Sequence, residues 1–94
     1  MNVSREAQNI VAQLRSLEVR YARASIKAFS VLEQFDPDTA SLALETFDHR
    51  RRAARWFGHR NWVLGDKTPW ECMAEGGVEL VKHELVSIIH GLPV

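Results

Sequence analysis

Apolar or small residues fall at Ile10, Leu14, Leu17, Tyr21, Ala24, Ala28, Val31 and Phe35, in steps that alternate four and three. That spacing keeps to one face of an α-helix and has the heptad-like period of helices that pair with other helices. No glycine or proline interrupts it, Ser4 suits the N-cap, and Glu6 lies in the first turn. Pro37 disfavours helical geometry at Asp36, so one helix is predicted from about Ser4 to Phe35. Such a helix is about 48 Å long, whereas a compact chain of this size has a radius of gyration of about 12 Å. The helix therefore either breaks near Ala22–Ala28, where the stripe is thin, or projects and pairs with another chain. Projection with self-association is the expectation, and packing of the stripe on the other helices is the alternative.

The rest of the chain reads as four shorter helices. Asp36-Pro37-Asp38-Thr39 is a turn in which either aspartate can cap a helix running from about Thr39 to Phe47. A third helix is predicted from about Asp48 to Trp56 or Phe57, ended by Gly58, with a loop over 58–67. In Thr68-Pro69-Trp70-Glu71 a threonine N-cap, a proline at the first helical position and a glutamate three residues after the cap form a capping box. The short helix it starts ends at Gly76-Gly77. The last helix runs from about Val78 to His90, with Val78, Val81, Leu85 and Ile88 on one face and Ile89 widening it. Gly91 stops it, and Leu92-Pro93-Val94 cannot continue it. No strand pattern competes, so the fold class is all-α: a long N-terminal helix followed by a compact bundle of about four short helices. The expected division is a helix over 1–37, serving self-association, and a module over 38–94.

Composition adds limits rather than a direction. With 94 residues the chain is the size of a single domain, and 46% apolar with 26% charged residues is ordinary for a globular protein. Net charge is zero, so no global charge draws the chain to nucleic acid or membrane. Residues 48–60, however, carry five arginines against one aspartate, a net of +4, between flanks of −1 and −3. One cysteine, Cys72, excludes an internal disulfide. No apolar segment reaches signal-peptide or membrane-spanning length, and the expected location is cytoplasmic.

Candidate chemistry is sparse. Glu79 and His83 are four apart and His83 and His90 seven apart, but no further ligand completes a metal set. Cys72 has no activating base at a useful spacing, and Gly76-Gly77 lacks the context of a phosphate loop. No catalytic residue, metal or cofactor is assigned, and no enzyme is expected. Trp56 reads as core, whereas Trp62 and Trp70 read equally well as core or as interface anchors. The cluster Arg50, Arg51, Arg52, Arg55 and Arg60 reads foremost as a solvated helix face with local acidic partners such as Asp48. Contact with an acidic partner rim and contact with nucleic-acid phosphates are its other readings.

Four pieces of the C-terminal half resemble the toxin-binding domain of Xre/MbcA/ParS-type antitoxins. Leu42 through Phe47 looks like that domain's first helix, and Arg52-Ala53-Ala54-Arg55-Trp56-Phe57 like its A-x-x-W-L helix. Asn61 through Glu71, centred on Leu64-Gly65-Asp66-Lys67-Thr68-Pro69, resembles the N-x-x-L-G-G-x-T-P-x-E loop and cap. Val78 through Val94 is similar to the closing helix and its I-x-x-G-V-x tail. Asp66 stands where a second glycine is usual, Trp70 where leucine is usual, and Leu92-Pro93 where valine and an aromatic are usual. Many members also carry an N-terminal helix-turn-helix; residues 4–35 lack its turn glycine and short-helix spacing, so direct DNA binding is not expected.

The resemblance implies an antitoxin of a type II pair that binds and inhibits an RES-type, NAD-consuming toxin. Its C-terminal segment would approach the toxin's active-site cleft and hinder substrate access. Carried onto this chain, toxin contact falls on His90, Gly91, Leu92, Pro93 and Val94, with Asp66 and Lys67 from the loop. A short apolar peptide after a helix stop suits that role, because Leu92 and Val94 can fill small pockets while Pro93 lowers the ordering cost. A carboxylate ending that peptide would suit a basic group that otherwise holds a substrate phosphate. The alternative function is a small nucleic-acid-associated transcriptional regulator that uses Arg50, Arg51, Arg55 and Arg60.

Overall fold

A computed structural model describes residues 2–91. The first helix, α1, spans Val3–Phe35 without interruption, so it does not break near Ala22–Ala28. Its cap is Asn2 rather than Ser4: the Asn2 side chain accepts the Arg5 N–H at 3.2 Å. Two side-chain acceptors can compete to cap one helix, and asparagine here satisfies an N–H about two residues earlier than the serine would. At the other end Asp36 acts twice. Its N–H donates to the Leu32 carbonyl at 2.7 Å, closing α1. Its carboxylate accepts the Thr39 N–H at 3.3 Å and the Thr39 hydroxyl at 2.6 Å, opening α2 (Pro37–Phe47) with Pro37 in the first turn.

The third helix, α3, begins at Arg50 and ends at Trp56, later than the predicted start at Asp48. Asp48 instead takes a left-handed conformation, φ 50°, and closes α2 through its N–H to the Leu44 carbonyl at 2.8 Å. His49 then caps α3, its Nδ1 accepting the Arg51 N–H at 3.2 Å. Aspartate tolerates the left-handed region better than most residues, which is why the chain can turn there without glycine.

After α3 come a short 3-10 turn over Trp62–Leu64, α4 (Pro69–Ala74) and α5 (Val78–Ile89). The capping box predicted at Thr68 is present in both directions: the Glu71 N–H reaches the Thr68 hydroxyl at 3.0 Å, and the Thr68 N–H reaches Glu71 Oε1 at 2.9 Å. Beyond α4 the Gly77 N–H donates back to the Cys72 carbonyl at 2.8 Å and the Gly76 N–H to that of Met73 at 3.0 Å. This is the crossed pattern of a Schellman stop. Cys72 is buried in it: a Cβ at Gly77 would lie 2.6 Å from the Cys72 sulfur, so the close approach depends on glycine.

The core gathers Phe29 and Leu32 of α1, Ala40 and Ala43 of α2, Ala53, Ala54 and Phe57 around α3, and Leu64, Cys72, Val81 and Leu85. Phe57 is its centre. It stands 6.0 Å from Phe29, 5.0 Å edge-on from Trp56 and 5.2 Å from Trp70, ring centre to ring centre. Small alanines on α2 and α3 let these helices close around the aromatic cluster. Among the described residues no strand forms; Asn61 and Lys67 make one isolated bridge.

Only the last third of α1 enters this core. Residues 2–21 are exposed throughout. The molecule measures 53 × 29 × 26 Å with a radius of gyration of 16.1 Å, well above the roughly 12 Å of a compact chain this long. The helix therefore projects. Tyr21 marks where it leaves the body, its hydroxyl lying against Gly58, where a Cβ would come within 1.9 Å of it.

Candidate functional site

The loop that the motif reading singled out is organised by Asn61. Its backbone N–H donates to the Lys67 carbonyl, and its carbonyl accepts from both Leu64 and Asp66, each at 3.0 Å. Its side chain accepts the Val63 N–H at 2.9 Å. The chain reverses through two consecutive left-handed residues, Gly65 at φ 74° and Asp66 at φ 65°. That geometry explains why a second glycine suits the Asp66 position: a left-handed residue is cheapest without a Cβ. Lys67 leaves the turn to pair with Glu75, and that contact raises its pKa above the ordinary lysine value. Glu71 titrates below the ordinary carboxylate value, chiefly because the Thr68 backbone N–H bonds its ionised form, with the nearby Arg60 charge adding a smaller effect.

The other predicted contact residues lie at the end of α5. His90 closes the helix through its N–H to the Val86 carbonyl at 3.1 Å. Gly91 follows with φ 64°, and both are exposed. Leu92, Pro93 and Val94 lie outside the described residues. Among the described residues no hydrogen bond or ion pair joins Asp66 or Lys67 to His90 or Gly91.

The arginine cluster divides rather than acting as one patch. Arg50 is tied to α1: it meets Glu33 at 2.6 Å and the Ser30 hydroxyl at 2.8 Å, with its guanidinium 5.4 Å above the Phe29 ring. Its ion partner is thus Glu33, not the Asp48 that sequence proximity suggested. Arg51 and Arg55 line an open groove where α1 departs from α3, opposite Arg23 and Lys27. Arg60 lies beyond α3 and close enough to Glu71 to influence it.

Sequence reasoning passed over three exposed apolar side chains in this half of the chain: Leu80, Val63 and, at 38% exposed, Val86. Leu80 is 61% exposed, about 100° round α5 from the buried Val81. A leucine off the apolar stripe of an amphipathic helix is the signal that marks it. Val63 is 40% exposed, next to Trp62 at 70%. Trp62 is accordingly the surface tryptophan of the three, whereas Trp56 and Trp70 pack partly buried on Phe57.

Comparison with protein families matches residues 42–91 to the antitoxin Xre/MbcA/ParS C-terminal toxin-binding domain. The chain belongs to this family. The matched residues begin inside α2 and run to the stop of α5, so they cover the body except the segment supplied by α1 and the first residues of α2. The Xre/MbcA/ParS assignment makes the chain the antitoxin of a toxin–antitoxin pair, with a toxin as its partner. Comparison with curated proteins and with solved structures gave no match. Among the described residues, no group of three or more His, Cys, Asp or Glu is placed to hold a metal ion, and no helix is long and apolar enough to cross a membrane.

Proposed function

We propose that this antitoxin neutralises an RES-type, NAD-consuming toxin by direct binding, without chemistry of its own. The carrying observation is the family match over 42–91. The motif loop and the end of α5 supply the accessible elements: Asp66 and Lys67 are exposed at one, His90 and Gly91 at the other. In this reading the segment Leu92–Val94 extends from Gly91 into the toxin's active-site cleft and obstructs NAD. Residues 38–94 carry toxin binding, and residues 1–37 carry self-association, with Phe29 and Leu32 anchoring the helix in the binding body. On this reading the pair acts in the cytoplasm.

Removing Leu92–Val94 tests the role of the tail. The shortened chain is expected to keep its thermal midpoint and to lose at least about tenfold in inhibition of the toxin. Undiminished inhibition would assign the contact elsewhere.

One observation favours a second reading, a nucleic-acid-associated regulator. Arg51 and Arg55 of α3 face the same groove as Arg23 and Lys27 of α1, which concentrates four cations against one carboxylate, Glu18. Binding through that groove would fall steeply with salt. A gel-shift titration of unrelated duplex DNA at low and high salt, with Arg51→Ala and Arg55→Ala together as control, separates the two readings.

A further inference from the structure

The projecting part of α1 carries an apolar stripe that no other element among the described residues covers. Val3, Ile10, Leu14, Leu17 and Tyr21 are 76%, 54%, 53%, 55% and 44% exposed, and Ala7 lies between them on the same face. Over residues 3–21 this stripe is about 28 Å long. We propose that it is covered by the same stripe of a second copy running antiparallel, in a register that sets Ile10 against the partner's Leu14, Ala7 against the partner's Leu17 and Val3 against the partner's Tyr21.

Three observations select this arrangement. The first is the extent of the free helix. Residues that flank a heptad stripe must be open for a partner to lie along it. Ser4, Val11 and Glu18 are exposed, but the equivalent Ser25 and Leu32 are 7% and 4% exposed, buried in the core that α1 shares with α2 and α3. Pairing is thus confined to the segment before Ala22. The proposed register uses that segment fully: the partner's helix begins opposite Tyr21, where α1 meets the body, and the two bodies lie at opposite ends.

The second is charge. On the other flank of the stripe stand Glu6, Gln13 and Arg20, all exposed. In the antiparallel register Glu6 meets the partner's Arg20, Gln13 meets the partner's Gln13, and the two-fold axis repeats the ion pair. Within one chain Glu6 and Arg20 are fourteen residues, about 21 Å, apart. Neither has an ion-pair partner among the described residues.

The third is the failure of the alternatives. A parallel pair sets Glu6 beside the partner's Val11 and Gln13 beside the partner's Glu18, with no opposite charges. A longer antiparallel overlap, reaching Phe35, brings Glu18 onto the partner's Glu18 and Arg20 onto the partner's Arg20. It also requires space that α2 and α3 occupy. Like charges facing each other across a helix pair select against a register as surely as apolar contact selects for one.

This pairing stands apart from the toxin-binding reading and is tested on the antitoxin alone. Sedimentation equilibrium up to about 200 µM compares the parent chain with Glu6→Arg, Arg20→Glu and the double variant. The parent is expected to dimerise. Each single reversal turns two attractive pairs into two repulsive ones and should weaken association by about tenfold. The double variant restores both pairs and should return to within about threefold of the parent. Both sites are exposed, so circular dichroism should show unchanged helicity in all four proteins. A monomer throughout that range overturns the proposal. So does a double variant no tighter than the singles, because a parallel or shifted pair gives Glu6 and Arg20 no reason to compensate each other.

Discussion

Glu71 shows how a single side chain joins sequence, cap and pH. Its carboxylate accepts the Thr68 N–H, and that bond is stronger to the ionised form than to the neutral acid. The folded pKa is lowered from its ordinary value of 4.5. Stability from a carboxylate lowered in this way is present above its unfolded pKa and is lost as pH falls through the folded value. The thermal midpoint should therefore drop between about pH 5 and pH 3, and the drop should be shallower in Glu71→Gln, which carries no titrating charge. Parallel curves for the two proteins would mean that the capping box contributes nothing to the acid limb. The residues Thr68, Pro69 and Glu71 were legible in advance because capping is a local matter of side chains reaching their own backbone. Asn2 was not, because it competes with Ser4, a cap of similar strength, and His49 was not, because Asp48 beside it is the better capping residue but is taken up in closing α2.

At the scale of the elements, α1 has two apolar faces, one buried in the body and one exposed. The heptad stripe from Ile10 to Phe35 stands out in the sequence, yet Val31 and Phe35 on it are 49% and 83% exposed. The buried face is Ser25, Phe29 and Leu32, advanced by one residue from Ala24, Ala28 and Val31. A one-residue advance turns the helix by about 100°. Periodicity establishes that a stripe exists but not what it packs against, so the length and projection of α1 could be read while its docking face could not. The two faces should separate by mutation. Phe29→Ala empties the site beside Phe57 and should cost about 3–5 kcal/mol of folding stability. Leu14→Asp should leave the folding stability of a dilute sample within about 1 kcal/mol of the parent and abolish self-association. Thermal melts and sedimentation on both variants check this, and a Leu14→Asp chain that unfolds would show that the stripe serves the core after all.

For the whole molecule, the proposed reading divides the work between the body and the helix. Five helices close a small core around Phe57, and the family match spans nearly all of it. The order of elements in that body was readable because its boundaries are written in local signals: Pro37, Gly58, the Thr68 cap, Gly76-Gly77 and Gly91. The surface it offers was only partly readable. The loop at Asp66 and Lys67 and the helix end at His90 and Gly91 were marked by resemblance, whereas Leu80 and Val63 became visible only once the buried side of each element was known. The division of the arginines likewise depends on tertiary position, since only folding brings Arg50 to Glu33. The central claim is that this body silences its toxin by binding. The most direct test is to purify the product of the gene adjacent to this chain's, the RES-type toxin of the proposed reading, and to assay its NAD consumption against increasing amounts of the chain. The account predicts that turnover falls to background once the chain is stoichiometric with the toxin; turnover unchanged in the presence of excess chain would contradict it.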